Sequence, residues 1–317
     1  MGALRALAPA KVNLGLFIGP VRAPDGKHEL VSVMESISLA DLLTLEHAPA
    51  GASEDEVLCP GLDEPPQQNL AAAAMRAFRM QTGWEGPWMR LSIDKRIPVA
   101  AGLGGGSADA AAALRLLSHA SGLGDQQLLL RIAAQLGADV PAQINPGRWL
   151  ASGAGEVLVA LAPARTPLGL IVLPAAAGLS TAEVYREADR LGLARSAAEL
   201  AERRLELHSA LEHGAPLPPA TELLHNDLQR AAVSLCPEIA GALAEARQAG
   251  AQLALLSGSG PSVLGLFANG RSPGGALALA ELAASSLSER VPAPICACSV
   301  DAGFGRVQSV EGPSAAL

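Results

Sequence analysis

Four glycines in five positions, grouped around Leu103 within Pro98-Val-Ala-Ala-Gly-Leu-Gly-Gly-Gly-Ser-Ala108, constrain this chain more than any other feature. Without Cβ atoms, consecutive backbone N–H groups can converge on one anion. Trp88 to Ile93 alternates apolar and polar residues as a strand does, and an alanine-rich helical run begins at about Ser107, which is placed to cap it. The glycines therefore join a strand to a helix N-terminus, whose dipole and unpaired amides attract phosphate. That context favours a phosphate cradle over a mere tight bend. The spacing lacks the G-K-[ST] of a Walker loop. It also lacks the G-x-G-x-x-G with a later acidic residue that marks dinucleotide-dependent oxidoreductases.

Around the loop the chain reads as mixed α and β. Ala6 to Ile18 reads as a strand stopped by Gly19-Pro20, and Leu30 to Glu46 alternates as further strands. Asn69 to Thr82 is helical in composition and closed by Gly83, and Gln126 to Leu136 is a helix ending at Gly137. A strand near Leu168 to Leu173 precedes a mostly helical stretch, Thr181 to Leu211, and a Pro-rich break at His213 to Pro219. A helix over Pro237 to Ala249 and strands at Gln252 to Leu256, Ser262 to Phe267 and Ile295 to Asp301 complete an α+β pattern. At 317 residues the chain is long enough for two domains, expected as 1–165, carrying the phosphate loop, and 166–317.

Composition excludes several function classes. A net charge of -8 argues against a surface that wraps nucleic acid, which needs clustered Lys and Arg. Four cysteines are too few for a disulfide scaffold and lack zinc-site spacing, so they read as reduced thiols. Pro9, Lys11 and Asn13 interrupt what a signal peptide would need as an apolar run, and no stretch approaches about 18 uninterrupted apolar residues. The expectation is a cytoplasmic protein without a membrane partner that acts on a small molecule, as a monomer or weak homodimer.

The loop at Pro98 and Ala101 to Ala108 resembles the middle motif of the GHMP kinase superfamily, P-x-x-A-G-L-G-G-G-S-A. Pro9-Ala-Lys-Val-Asn-Leu14 resembles the first motif and Ser257-Gly-Ser-Gly-Pro-Ser262 the third, so the resemblance spans the chain. Asp25-Gly-Lys-His28, Gln68-Asn69-Leu70, Leu136-Gly-Ala-Asp-Val-Pro141 and Leu224-His-Asn-Asp-Leu228 resemble one branch of that family. That branch phosphorylates a cytidine-diphosphate-linked methylerythritol on the non-mevalonate route to isoprenoids. The resemblance implies an N-terminal domain like domain 2 of ribosomal protein S5, a C-terminal ferredoxin-like domain, and a site in the cleft between them.

It also implies roles. Pro98, Ala101, Gly102, Leu103, Gly104, Gly105, Gly106, Ser107 and Ala108 would bind ATP, which arrives with Mg2+ on ligands left open, and Asn69 and Lys95 would contact the nucleotide. Asp139 would be the base that accepts the alcohol proton, beside Lys11 as a charge-stabilising cation. Asn13, His28, Thr181 and Tyr185 would hold the substrate, His28 hydrogen-bonding the cytosine and Tyr185 stacking on it. Two positions depart from the family pattern: Lys27 stands where a stacking tyrosine is usual, and Ala142-Gln143 where a phenylalanine pair is common. The alternatives are a homoserine- or mevalonate-type kinase, against which Asp25-Gly-x-His28 argues, and a catalytically silent nucleotide-binding protein, against which Lys11 and Asp139 argue.

Overall fold

The computed structural model describes residues 2–23, 25–61, 69–176, 178–218, 221–268 and 275–310. Gln68 and Pro219 lie outside them. The first half contains β1 (Leu4–Val21), β2 (His28–His47), β3 (Glu56–Leu58), α1 (Leu70–Thr82), β4 (Met89–Asp94), α2 (Gly105–Ser121), α3 (Gln126–Leu136), α4 (Val140–Ile144), β5 (Arg148–Ser152) and β6 (Val157–Ala160). The second half contains β7 (Gly169–Leu173), α5 (Thr181–Arg190), α6 (Ala197–Leu211), α7 (Gln229–Leu235), α8 (Glu238–Gln248), β8 (Leu253–Leu256), β9 (Val263–Phe267), α9 (Gly275–Ser286), β10 (Ile295–Cys298) and β11 (Gln308–Ser309).

Two sheets organise these elements. The first runs β11-β1-β2-β4-β3, with β5 paired to β2 and β6 to β5; the second runs β10-β7-β9-β8. The chain's last described strand thus returns to pair with its first, Leu4 opposite Ser309. β1 and β2 form one long antiparallel ribbon whose register shifts between Pro9 and Lys11, Asn13 and Gly15, and Ile18 and Val21. Such bulges kink a strand and re-aim its side chains, and two of them bracket Lys11 and Asn13. They also let Leu30 to Glu46 run as one strand instead of several.

Packing explains why β1 shows little alternation. Ala6, Ala8, Ala10, Val12 and Leu14 are buried, and so are their neighbours Pro9, Lys11 and Asn13, because both faces of the strand are covered. The alanines of α2, Ala108 and Ala110 to Ala113, are all buried, and they share one core with α1, β2 and β4. Methyl side chains let this helix lie close to its neighbours. The segment expected to be mostly helical over 181–211 is two helices, the second started by a capping box in which Ser196 and Glu199 satisfy each other's backbone amides. The elements α4, α7, α9, β3, β5, β6 and β11 are absent from the sequence reading.

Beneath β5 lies a fully buried ion pair. Arg148 Nε binds Glu35 Oε2, and its Nη atoms donate to the carbonyls of Ala215 and Pro216, tying β2 and β5 to the loop after α6. Removing one partner of such a pair strands an uncompensated buried charge. Glu35→Ala is therefore expected to lower unfolding stability by about 3–5 kcal/mol, read from the midpoint of urea denaturation.

Candidate active site

The phosphate loop owes its shape to positions that only glycine fills. Gly102 has φ +76°, and a methyl group there would lie 2.7 Å from the carbonyl oxygens of both Ser257 and Gly260. Gly104 has φ +68°, and its Cβ would come within 2.9 Å of the Lys11 side chain. Gly104 is also the N-cap of α2 and makes no side-chain cap. The helix thus starts two residues before Ser107, which sits inside the first turn and does not cap it as its position in the sequence suggests. A cap without a side chain leaves the first-turn amides free for an anion. Pro98 through Ser107 line a cavity of about 310 Å³ together with Asn69, Lys95 and Asp109. Ala108 lies behind it, in the core.

Three charged side chains brace this cavity. Lys95 Nζ donates to Asp41 Oδ2 and, at 2.9 Å, to Asp109 Oδ2. Asp41 Oδ1 accepts the backbone N–H groups of Arg96 (2.6 Å) and Ile97 (2.8 Å), which fixes the turn leading into the loop. Burial pushes the Asp109 carboxyl up to about 7, against the pull of the Lys95 ammonium. Lys95 itself is held above the usual range: burial lowers it, but the two carboxylates outweigh that. Asn69 Oδ1 caps α1 by accepting from Ala71 (2.9 Å) and Ala72 (3.3 Å), so one residue both starts a helix and walls the cavity.

A second cavity, of about 350 Å³, abuts the first, and Gly102, Gly104 and Ser107 belong to both walls. Lys11, Asn13, Asp139, Thr181 and Tyr185 line it. Lys11 Nζ lies 3.4 Å from Asp139 Oδ2 and donates to Asn13 Oδ1 at 2.9 Å. Asn13 Nδ2 donates to Ser32 Oγ, which donates to the Gly15 carbonyl, both at 2.7 Å. Lys11 is thereby aimed from a buried strand. Asp139 stands at the start of α4 without making a capping hydrogen bond, and its side chain is 39% exposed. Its carboxylate is thus open to a ligand. Burial, then the charge of Asp139, pushes the Tyr185 phenol up to about 12, which keeps it a neutral hydrogen-bond donor.

Thr181 Oγ1 and Ser259 Oγ lie 2.8 Å apart, joining the start of α5 to the glycine turn 257–260. His28 stands behind Tyr185, ring centroids 5.4 Å apart, and is not part of the cavity wall. Its Nδ1 meets the Gly19 carbonyl at 2.8 Å and its Nε2 meets Asp189 at 3.0 Å. Lys27 is exposed in the turn before β2 and its N–H donates to Asp25. Ala142 and Gln143 are buried in α4.

Like Asp41, Asn226 and Asp227 were not assigned roles from sequence. Asn226 Nδ2 donates to the carbonyls of Leu256 (2.9 Å) and Gly258 (2.7 Å), holding the turn that packs on Gly102. Asp227 accepts Ile18 N–H and a two-pronged contact from Arg195, anchoring β1. Both lie in the His-Asn-Asp segment already singled out by its likeness to a family motif, which was the available signal.

The family model for the GHMP kinases N-terminal domain matches residues 69–147, and that for the GHMP kinases C-terminal domain matches 193–283. A 4-diphosphocytidyl-2-C-methyl-D-erythritol kinase of Salinispora arenicola is 41% identical over 84% of this chain and 84% of its own length. One of Anaeromyxobacter dehalogenans is 41% identical over 87% and 85%. A crystal structure of 4-(cytidine 5'-diphospho)-2C-methyl-D-erythritol kinase superposes with a TM-score of 0.71 at 31% identity, covering 93% of this chain and 98% of that one. A homoserine kinase from Cytophaga hutchinsonii reaches 0.73 at 16% identity, covering 97% and 98%, which is a likeness of fold alone.

Gly102→Ala puts a methyl group where two carbonyls stand and forces a left-handed backbone on alanine. Nucleotide affinity is expected to fall by about tenfold or more, the equivalent of about 1.4 kcal/mol, in a calorimetric titration with ADP, while far-ultraviolet circular dichroism stays that of a folded chain.

Proposed function

Because this chain belongs to the GHMP kinase family, we propose that it transfers the γ-phosphate of ATP to the alcohol of 4-diphosphocytidyl-2-C-methyl-D-erythritol, giving the 2-phosphate and ADP. It has the family's two-domain α+β fold, and we place the boundary near residue 165. The observation that carries the reading is the seam between the two cavities. Gly102, Gly104 and Ser107 wall both, and Lys11 and Asp139 stand at that wall on the second side. A phosphate held by the loop and an alcohol in the second cavity meet there. The 41% identity to kinases of this name over most of both chains supports the choice of alcohol.

The chain's own residues divide the work. Asp139 accepts the hydroxyl proton as the alcohol oxygen bonds to phosphorus and the bond to the ADP oxygen breaks. Lys11, 3.4 Å from Asp139 Oδ2, offsets charge on the transferring group. Phosphoryl transfer is loose, so an ordinary carboxylate suffices once the reactants are aligned. Tyr185 and His28 serve the cytosine, and engaging His28 Nε2 requires that Asp189 release it. Thr181 and Asn13 position the rest of the substrate.

Among the described residues no group of three His, Cys, Asp or Glu side chains could hold a metal ion. Mg2+ would arrive with ATP and would supply neutralisation of the charge that develops on the phosphates. No helix among the described residues is long and apolar enough to cross a membrane, and the acidic net charge suits neither nucleic acid nor an anionic surface. The enzyme works in the cytoplasm on a small molecule, as a monomer or weak homodimer.

The test is ADP release with Mg-ATP and the cytidine compound, homoserine, mevalonate or no alcohol. Turnover confined to the cytidine compound is expected; turnover of another alcohol would sink the substrate assignment, and none with any would favour a silent binding protein. Asp139→Asn is expected to lower kcat by about 10²–10⁴, the usual worth of a positioned base, with ADP affinity unchanged. Full turnover by that variant would remove Asp139 from the mechanism.

A further inference from the structure

Asp109 has one carboxylate oxygen too many. Oδ2 accepts from Lys95, but Oδ1 is buried without a hydrogen-bond partner, in a residue only 4% exposed that forms part of the nucleotide cavity wall. A buried acceptor left unmet is destabilising, the more so when charged. Asp41 has no such surplus, since both its oxygens are engaged by Lys95, Arg96 and Ile97. Neither helix capping nor loop bracing uses Asp109 Oδ1.

The charges do not balance either. The groups that face Asp109 are Lys95, from the segment after β4, and Asp41, from β2. One ammonium between two carboxylates leaves a net charge of minus one beneath a loop that must hold a polyphosphate. A single proton removes the surplus charge, and the unmet oxygen is satisfied once an acceptor on the bound nucleotide reaches the O–H it then carries. A neutral Asp109 carboxyl has an O–H to donate, and the triad then carries no net charge.

We propose that Asp109 is a positioning residue that takes up one proton when a nucleotide enters the cavity, turning its uncommitted oxygen into a hydrogen-bond donor and leaving Lys95 as an intact cation at the phosphate loop. The inference rests on reading this cavity as the ATP site and is independent of which alcohol is phosphorylated. The carboxyl of the free protein already lies at about 7, so the proton is within reach near neutrality. Nucleotide phosphates are negative and push that value higher in the complex. The protonated form is therefore favoured by binding, and by reciprocity nucleotide affinity is highest below the free-protein value and is lost as pH rises through and above it.

The experiment is isothermal titration of ADP with Mg2+ into the full chain, without any alcohol, in buffers of different ionisation enthalpy between about pH 6 and about pH 8.5. The wild-type chain is expected to take up as much as about one proton per ADP beyond Asp109→Asn, and to lose up to about tenfold in affinity per pH unit above neutrality. Asp109→Asn, whose amide imitates the neutral carboxyl, is expected to bind ADP with pH-independent affinity. Equal proton uptake by the two proteins overturns the proposal, as does an Asp109→Asn protein that is folded but fails to bind at every pH. If that variant does not fold, the wild-type titration decides alone: an affinity flat across the range overturns the proposal, and one that falls above neutrality with proton uptake upholds it. Failure of the wild-type chain to bind ADP at all removes the nucleotide site and this inference with it, whereas binding without turnover of the cytidine compound leaves it standing.

Discussion

Everything in the site depends on two glycine turns that touch through bare backbone. The carbonyls of Ser257 and Gly260 press against Gly102, Ser257 Oγ reaches the Gly102 carbonyl at 3.3 Å, and the Lys11 N–H binds the Leu103 carbonyl at 2.9 Å. The phosphate loop is thereby clamped between the first strand and a turn from the far half of the chain. Asn226 holds that turn, and Asp227 beside it holds β1. A loop so rich in glycine has much conformational freedom to lose, and these contacts are what restrain it before any ligand arrives.

The same clamp forms the wall that the two cavities share. The first cavity is braced by Lys95 between Asp41 and Asp109, and the second by Lys11 between Asn13 and Asp139. Each lysine is a cation with a partly committed anion partner. Their burial makes them effective at short range, while the chain as a whole stays acidic.

Much of this was legible from the residues. The glycine loop, its strand and its helix follow from composition and spacing; the likeness of Pro9 to Leu14 to the first family motif brought Lys11 and Asn13 to notice, and that of Leu136 to Pro141 to one branch of the family brought Asp139, before the fold brought them together. What was not legible has physical causes. β6 is mostly exposed and only four residues long. Asp41 sits in an alternating strand, where a lone aspartate reads as solvent-facing, yet it is fully buried. Ser107 looks like a cap, but a left-handed Gly104 takes that place and offers its ligand bare amides instead.

The pairing of β11 with β1 bears on how the chain comes off the ribosome. Leu4 and Arg5 are made long before their partners Ser309 and Gln308. Until those arrive, this stretch of the outer edge of β1 offers unpaired N–H and C=O groups to any neighbouring strand. Asn226 and the 257–260 turn are likewise made long after the loop they clamp. The nascent first half therefore carries an open strand edge and an unclamped glycine loop, and surfaces of that kind invite association with other chains.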